Sequence, residues 1–283
     1  MKKIMALALA LVMVLGTLTA CGGGSAAPTA KVITINLTEE EYAFGVDKNQ
    51  PELLDATNAF IQKIKNDGTF DAICNKYFGD GTPEAVTSAE LDETKDQLVV
   101  ATNAAFAPFE YTEDGGKSYL GIDMEIAGLL AKELGKELVI LDIDFDAVCL
   151  YVQQGKCDIA MAGLTITEDR KDLVNFSDSY YNASQQVIVL SDNTEFDACT
   201  SAADVEAILN AKDASYKIGV QKGTTGNWYV AGDEDWGFAG FSTTCVEMAN
   251  GALAVQDLLN GNLDCVIIDS APAAKIVESF NAQ

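Results

Sequence analysis

From residue 96 onward, short apolar runs alternate with longer stretches in which the apolar residues would fall on one face of a helix. The short runs, typical of buried strands, are QLVVATN (97–103), ELVILDID (137–144), CDIAMAG (157–163), QQVIVLSD (185–192), YKIGVQ (216–221) and LDCVIID (263–269). The helical stretches are DMEIAGLLAKELG (123–135), DAVCLYVQQG (146–155), TEDRKDLV (167–174), SAADVEAILNA (201–211), TTGNWYVA (224–231), VEMANGALAVQDLLNG (246–261) and SAPAAKIVESF (270–280). Such alternation predicts parallel sheets covered by helices, and its two successive sets predict two α/β lobes.

The residues before 96 carry a different pattern. KVITIN (31–36) and EEEYAFGVDK (39–48) read as strands, and PELLDATNAFIQKIKNDG (51–68) reads as a helix that begins at Pro51. After one more helix, the polar and acidic residues 79–96 read as a connecting loop.

NDGTFDAICNKYF (66–78) has the pattern of a helix that closes a domain. Its apolar residues fall at i, i+3, i+4, i+7 and i+8 starting from Phe70. Thr69 can cap its N-terminus, and Gly79 can end it. A closing helix is unexpected here, because enough sequence for two lobes follows it.

The first 21 residues have the pattern of an export signal. Lys2 and Lys3 precede an apolar run that ends in Leu-Thr-Ala followed by Cys21. This order predicts a signal peptide over 1–20, lipidation of Cys21 and a flexible Gly/Ser linker within 21–30. The alternatives are an ordinary signal peptide or an uncleaved anchor, although the run is short for a membrane span, which needs about 20 residues.

Composition narrows the classes of function. Lysine and arginine number 18 against 43 aspartates and glutamates, and there is no histidine. This acidic balance makes nucleic acid and anionic lipid headgroups poor partners. The absence of histidine removes the commonest general base and metal ligand.

Motifs for catalysis and for metals are absent from the sequence. No G-x-S-x-G, P-loop or H-E-x-x-H occurs, and the aspartates of DIDFDAV (142–148) lack the glycine and glutamate of a calcium loop. We therefore expect neither a metal nor a cofactor. Six cysteines follow Cys21, and we expect mostly free thiols because most lie in apolar patterns: Cys74, Cys149, Cys157, Cys199, Cys245 and Cys265.

Arg170 and Asp269 are the most informative charged residues. Arg170 lies in the first turn of a short helix after AMAGLTIT (160–167), and Asp269 ends a strand. In open α/β sheets, ligands bind beyond the carboxyl ends of the strands. There a guanidinium can hold a carboxylate and an aspartate can hold an ammonium, which are the two charged ends of an α-amino acid. The alternative is that each residue is a solvated surface charge.

Five stretches resemble the polar amino-acid-binding proteins of ABC importers, solute-binding family 3. They are LVVATNAAFAPFEY (98–111), GIDMEIAGLLAKELG (121–135), QQGKCDIAMAGLTITEDRKDLVNFSDSYY (153–181), IGVQKGTTG (218–226) and LLNGNLDCVIIDSAPA (258–273). The resemblance implies the type II periplasmic-binding-protein fold, an α/β fold with a central sheet in each of two lobes and a two-strand hinge.

The front segment matches the same family, but in an unusual place. Residues 37–78 resemble the family's C-terminal end, which normally follows the helix after VIIDSAPA. The resemblance therefore implies a circularly permuted chain, in which residues 79–96 bridge the family's usual termini. This order divides the chain into lobe 1, lobe 2 and the hinge strands, expected at 43–184, at 31–37 with 185–283, and near 38–42 and 180–184.

The resemblance also implies which residues anchor a ligand. Arg170 would hold its carboxylate together with the backbone N–H groups of Thr165 and Thr225. Asp269 would hold its ammonium together with the Gly163 carbonyl and the Thr165 hydroxyl.

Four further residues would contact the ligand side chain. Phe106 and Phe145 would sandwich it, and Asn103 and Gln221 would read its distal end. Many relatives have an aspartate where this chain has Asn103, which weakens the expectation of a basic ligand. A polar uncharged side chain is therefore the first expectation, and a cationic one is the second because aromatic faces attract cations.

Together these residues imply an extracytoplasmic solute-binding lipoprotein anchored to the cell membrane, not an enzyme. It would capture an α-amino acid between its lobes as a monomer and deliver it to an ABC transporter permease, with closure of the lobes as its mechanism. Two alternatives use the same fold: a cyclohexadienyl-dehydratase-like enzyme and an amino-acid sensor module that works through a separate partner.

Overall fold

The fold is given by a computed structural model that describes residues 27–282. The predicted signal peptide over 1–20, the lipidation of Cys21 and most of the predicted linker lie outside the described residues. Within residues 27–282, no helix is long and apolar enough to cross a membrane.

Helices and strands alternate along most of the described chain. The helices are α1 (Pro51–Asn66), α2 (Thr69–Phe78), α3 (Ile122–Leu134), α4 (Val148–Gln153), α5 (Glu168–Leu173), α6 (Ala202–Asn210), α7 (Thr225–Ala231), α8 (Gly251–Leu259) and α9 (Ser270–Asn281), with a 3₁₀ turn at Phe145–Ala147. The strands are β1 (Ala30–Ile33), β2 (Glu40–Tyr42), β3 (Gly45–Val46), β4 (Gln97–Thr102), β5 (Ala105–Phe106), β6 (Glu110–Tyr111), β7 (Glu137–Asp142), β8 (Ile159–Ala160), β9 (Asn175–Phe176), β10 (Tyr181–Ala183), β11 (Gln185–Leu190), β12 (Lys217–Gln221), β13 (Thr244–Met248) and β14 (Cys265–Asp269).

The first of two lobes is built on a five-stranded sheet in the order β7-β4-β8-β3-β9, and we call this sheet with α1 to α5 lobe 1. β4 pairs in parallel with β7 and β8, and β3 runs antiparallel between β8 and β9. Leu98 and Val100 of β4 are buried, as expected for a central strand covered by helices. α3 covers the sheet with a continuous buried face that includes Ile122, Ile126 and Leu130.

The second lobe is built on a sheet in the order β1-β11-β14-β12-β13, and we call this sheet with α6 to α9 lobe 2. β12 pairs in parallel with β13 and β14, whereas β11 runs antiparallel to both β14 and β1. The first described strand therefore forms an edge of this sheet. Next to it lies the end of α9, because Asn281 exchanges hydrogen bonds of 3.1 and 2.8 Å with the backbone of Ala30.

A two-stranded ribbon connects the lobes. β2 pairs antiparallel with β10, with Tyr42 opposite Tyr181. The chain passes through this ribbon once on the way from β1 to β3 and once on the way from β9 to β11. The ribbon thus lies within the two segments expected to form the hinge.

One predicted helix begins too early. Residues 244–248 form β13, parallel to β12, and not the first turn of the helix predicted over 246–261. Thr244 and Val246 are β-branched and favour the extended conformation. The helix starts only at Gly251, because the side chain of Asn250 caps it by accepting a hydrogen bond of 3.0 Å from the Leu253 N–H.

The start of the closing helix also differs from the prediction. Thr69 is the first helical residue and not the cap, since Gly68 occupies the cap position with φ of 81°. The Asp67 carboxylate instead accepts the Thr69 N–H at 2.9 Å. Gly79 ends the helix as predicted, but Phe78 from the predicted apolar stripe is 47% exposed.

Candidate functional site

Arg170 lies at the boundary between the lobes, on α5. Its guanidinium donates from Nη1 to the Thr165 carbonyl at 2.8 Å and from Nη2 to the Gly223 carbonyl of lobe 2 at 3.1 Å. The residue is 6% exposed, and burial lowers its pKa. None of the ion pairs within residues 27–282 involves Arg170. A buried guanidinium without a carboxylate partner is suited to hold an anion.

Local structure fixes the position of this arginine. Thr167 caps α5 by accepting the Arg170 N–H at 3.3 Å, so that Arg170 stands in the first turn. The guanidinium also lies over two aromatic rings, 5.3 Å from the centroid of Phe145 and 5.0 Å from that of Trp228. Phe145 therefore lies against the arginine itself, and its contact with a ligand side chain stays a proposal.

Gly163 and Phe106 lie together in lobe 1. A Cβ atom on Gly163 would come within 2.9 Å of the Phe106 ring, and Gly163 has a φ of +52°. Both the close approach and the backbone conformation therefore favour glycine at this position. Phe106 is buried, and its ring also contacts Phe109 with a centroid distance of 6.2 Å.

Thr165 follows Gly163 and pairs with the connecting ribbon. It forms an antiparallel bridge with Tyr42. The hydrogen bonds of this bridge are made by the neighbouring residues: the Ala43 N–H donates to the Leu164 carbonyl, and the Ile166 N–H donates to the Glu41 carbonyl. In this type of pair, the N–H groups of the two bridged residues point away from each other. The Thr165 N–H is thus directed away from β2, as required of a group that donates to a ligand.

Asp269 lies at the end of β14 in lobe 2 and is 4% exposed. The Tyr42 hydroxyl donates to its Oδ1 at 2.5 Å. Burial, and after it the charge of Glu40, raises the pKa of Asp269 to about 7, although the hydrogen bond from Tyr42 acts in the opposite direction. A ligand ammonium next to this carboxylate would favour its ionised form.

Asn103 and Gln221 meet across the lobe boundary. The Gln221 Nε2 donates to the Asn103 Oδ1 at 3.1 Å, and the Asn103 Nδ2 donates to the Ile143 carbonyl at 2.8 Å. Lys222 forms another contact between the lobes, an ion pair of 2.6 Å with Asp146. The lobes are therefore closed on each other here, and the two amides bind each other.

Sequence reasoning did not find Glu110. This residue of β6 is fully buried, and its carboxylate oxygens have no hydrogen-bond partner within residues 27–282. Burial, followed by the nearby charges of Asp123, Asp269 and Asp142, raises its pKa well above the usual range. The available signal was a single glutamate in the otherwise apolar run FAPFEY (106–111).

Asp123, at the start of α3, is a second buried carboxylate that the sequence did not single out. It accepts the Gly163 N–H at 2.9 Å and the Tyr180 hydroxyl at 2.6 Å. Burial raises its pKa to about 7. Its hydrogen bonds hold the loop that carries Gly163, so its role is to support the site.

The charges of the site do not balance. Arg170 is the buried cation, whereas Glu40, Glu110, Asp123 and Asp269 are all buried acids. A ligand carboxylate would neutralise Arg170 and leave the acids in excess. Burying these acids in their ionised form is costly, and burial accordingly raises the pKa of Glu110, Asp123 and Asp269, which favours their neutral forms when no cation is nearby.

The fold agrees with the family to which the chain belongs. The chain belongs to the bacterial extracellular solute-binding proteins, family 3, whose model matches residues 6–80 and 98–269. Among solved structures, an ancestral arginine-binding protein bound to arginine is 34% identical, with a TM-score of 0.55 over 66% of this chain and 76% of that chain. The ancestral amino acid-binding protein AncCDT-1, a precursor of cyclohexadienyl dehydratase, is 32% identical, with a TM-score of 0.55 over 65% of this chain and 75% of that chain.

Two sequence relatives are named for basic amino acids. A probable histidine-binding protein of Neisseria gonorrhoeae is 32% identical over 65% of this chain and 63% of its own length. The arginine-binding extracellular protein ArtP of Bacillus subtilis is 34% identical over 46% of each chain. The matches thus span less than two thirds of the length of these relatives.

Proposed function

We propose that this protein is an extracytoplasmic solute-binding protein that captures an α-amino acid between its two lobes. The observation that carries the proposal is the pair of buried charges at the lobe boundary. Arg170 of lobe 1 has no carboxylate partner in the described chain, and Asp269 of lobe 2 is held by a tyrosine hydroxyl at one oxygen. A bound α-amino acid would supply the missing partner to each.

The ligand side chain is proposed to be cationic, which revises the first expectation from the sequence. Asn103 and Gln221 were expected to read a polar uncharged group, but they bind each other in the closed molecule. Glu110, in contrast, is a buried acid without a partner among the described residues. The names of relatives that bind arginine or histidine support the same choice.

The proposed mechanism is closure of the lobes on the ligand. Hinge motion would take place in the segments near 38–42 and 180–184, which form the connecting ribbon. The contacts of Arg170 with Gly223 and of Lys222 with Asp146 join the lobes here and would break if the lobes moved apart. A ligand that touches both lobes would shift the equilibrium toward this arrangement.

Delivery to an ABC transporter permease is proposed as the biological role. A probable ABC transporter arginine-binding protein of Chlamydia trachomatis is among the relatives, 33% identical over 28% of this chain. The protein would act as a monomer on the extracytoplasmic face, held to the membrane by a lipid on Cys21.

Calorimetry against the twenty amino acids tests the proposal. We expect arginine, lysine or histidine to bind most tightly and the two acidic amino acids to bind least. Arg170→Ala should weaken binding by about 2–5 kcal/mol, because the ligand carboxylate would be buried without its partner. Tightest binding of glutamate or aspartate, or unchanged affinity of Arg170→Ala, would contradict the proposal.

A cyclohexadienyl-dehydratase-like enzyme is the second candidate. One observation favours it: burial raises the pKa of Asp269 at the end of β14 to about 7, so this carboxyl group could supply a proton at neutral pH. The similar structure AncCDT-1 is itself named an amino acid-binding protein and a precursor of such an enzyme. An assay for release of carbon dioxide and water from prephenate or arogenate tests this candidate. Turnover that depends on Asp269 would favour the enzyme over the binding protein.

We also propose that the chain is a circular permutant of its family. β1 pairs in the sheet that contains β12 and β14, and α2 packs on α3 in the other lobe. Ala30 lies beside Asn281, where the family's chain would continue. The family model matches two segments separated by residues 81–97, which is where the permuted order expects the joint.

A further inference from the structure

Glu40 lies at the floor of the cleft, on the connecting strand β2, and is 5% exposed. Its Oε2 accepts two threonine hydroxyls, from Thr165 of lobe 1 at 2.7 Å and from Thr225 of lobe 2 at 2.8 Å. Its Oε1 accepts the Thr38 hydroxyl at 2.7 Å and the Gln185 Nε2 at 3.0 Å. One carboxylate thus joins both lobes to the connecting segment that carries it.

These contacts fix the direction of the two threonine hydroxyls. An ionised carboxylate only accepts hydrogen bonds, so each hydroxyl must donate its single hydrogen to Glu40. Thr225 also accepts a hydrogen bond of 3.1 Å from the Gln185 Nε2. The remaining lone pairs of the Thr165 oxygen can then only accept, which suits an ammonium and opposes a carboxylate or a carbonyl.

Resting on the proposed function, we propose that Glu40 is a positioning residue for recognition of the ligand's α-ammonium. It orients the Thr165 hydroxyl as an acceptor, beside the Asp269 carboxylate that binds the same ammonium. Glu40 thereby makes the floor of the cleft selective for a ligand with an α-amino group. A glutamine at this position would offer one acceptor and two donor hydrogens, and would leave the hydroxyl directions unfixed.

Glu40→Gln should therefore lose affinity for amino acids, but not for the same molecules without the α-amino group. The test measures binding of arginine, lysine and histidine and of their deaminated analogues, in which hydrogen replaces the α-amino group. For the amino acid that binds most tightly to the wild type, we expect Glu40→Gln to weaken binding by about 10- to 100-fold. The affinity for the deaminated analogue should fall by less than about threefold. An equal loss for both would overturn the proposal, because it would indicate a purely structural role in joining the lobes.

Glu39→Gln is the matched control, since Glu39 is the exposed neighbour of Glu40 and its replacement makes the same change in net charge. We expect both affinities to be unchanged in this variant.

A second test combines Glu40→Gln with Thr165→Val. The losses of affinity for the amino acid should be markedly non-additive, because both changes act on one hydroxyl. Additive losses would overturn the proposal even if Glu40→Gln alone proved unstable to heat. If none of the twenty amino acids binds to the wild type, the proposed function is rejected and this inference with it. If an amino acid binds to the wild type, but Glu40→Gln leaves the ratio of its affinity to that of the deaminated analogue unchanged, only the inference about Glu40 is rejected.

Discussion

Replacing Glu110 by glutamine removes a buried carboxyl group with little change in the shape of the side chain. Its carboxyl oxygens have no hydrogen-bond partner among residues 27–282, and burial raises its pKa well above the usual range. Because ionising this group costs free energy in the folded state, we expect Glu110→Gln to raise the melting temperature more near pH 8 than near pH 5. If the ligand is cationic as proposed, the same change should weaken binding of arginine by about 10-fold or more and leave glutamine binding nearly unaffected, because only a cation would favour the ionised form of Glu110 and pair with it.

Glu113→Gln serves as the control for this prediction, because Glu113 is exposed in the loop that follows β6. Melting curves and calorimetry of the two variants give the two readouts separately. If Glu110→Gln destabilised the protein and also weakened both ligands equally, Glu110 would be a structural residue and not a reader of the ligand side chain.

The buried acids also predict how stability depends on pH. Burial raises the pKa of Asp123 to about 7 and acts in the same direction on Asp269 and Glu110. The folded protein therefore holds more protons than the unfolded chain between about pH 4 and pH 7, and stability falls as pH rises through this window. We expect the melting temperature of the ligand-free protein to increase as the pH is lowered from about 8 to about 5.

Comparison of two variants isolates this effect from the general relief of negative charge. In Asp123→Asn the free energy of unfolding should change less steeply with pH. The slope should be smaller by up to about 1.4 kcal/mol per pH unit for each proton no longer taken up. Asp55→Asn, at an exposed position of α1, should follow the wild type. Equal slopes for Asp123→Asn and the wild type would mean that Asp123 is ionised throughout this range.

At the residue scale, the sequence could single out the two residues that we propose as ligand anchors, but not the buried acids around them. Arg170 and Asp269 stand at the ends of strong patterns, where position alone suggests a role. Glu40 and Glu110 do not, since the chain has 43 acidic residues and no local pattern marks the few that are buried. Burial of a charge depends on which elements cover it, and that is a property of the assembled fold.

At the scale of elements, helices with clear start and stop residues were the most predictable. Pro51 begins α1, and glycines end α2 and α3 where the sequence expects them. The main error was the run VEMANGALAV (246–255), whose apolar residues suit a helix. Pairing with β12 turns its first part into β13, so tertiary context outweighs local pattern there.

Tyr77 ties the closing helix α2 to the start of α3. Its hydroxyl donates to the buried Glu125 at 2.7 Å and accepts the Gly121 N–H at 2.9 Å. Tyr77→Phe leaves both partners without this bond, and we expect it to lower the free energy of unfolding by about 1–3 kcal/mol in urea titrations. Ligand affinity should not change, because none of these residues contacts the proposed ligand anchors.

Tyr151→Phe is a suitable control for this measurement. The Tyr151 hydroxyl makes none of the hydrogen bonds found in the described part of the chain, although its ring lies 4.4 Å from the Lys156 ammonium. This variant should unfold like the wild type. A Tyr77→Phe protein as stable as Tyr151→Phe would mean that water replaces the lost hydroxyl on both partners.

At the scale of the whole molecule, the site is made by residues that lie far apart in the chain. Glu40 is 125 positions from Thr165 and 185 from Thr225, yet one carboxylate oxygen accepts both hydroxyls. Sequence patterns place each of these residues in an element but cannot say which of them come within hydrogen-bonding distance. The resemblance supplied the two threonines, and the fold was needed to bring Glu40 between them.

Rearranging the chain tests the permuted order directly. A chain that starts at Gly81, runs to Ala282, continues through a short Gly/Ser link to Ala30 and ends at Asp80 would restore the family's usual order. A few residues are enough for the link, because Asn281 and Ala30 are hydrogen-bonded at 3.1 and 2.8 Å. Both new ends lie in exposed segments, so we expect the rearranged chain to fold and to bind arginine with an affinity within about threefold of that of the original chain.

A control chain carries the same link but is cut inside α3, between Ala127 and Gly128. This cut should abolish folding, since that helix covers the sheet of lobe 1. A rearranged chain without cooperative unfolding or ligand binding would contradict the proposal that this protein is its family's fold with the termini moved.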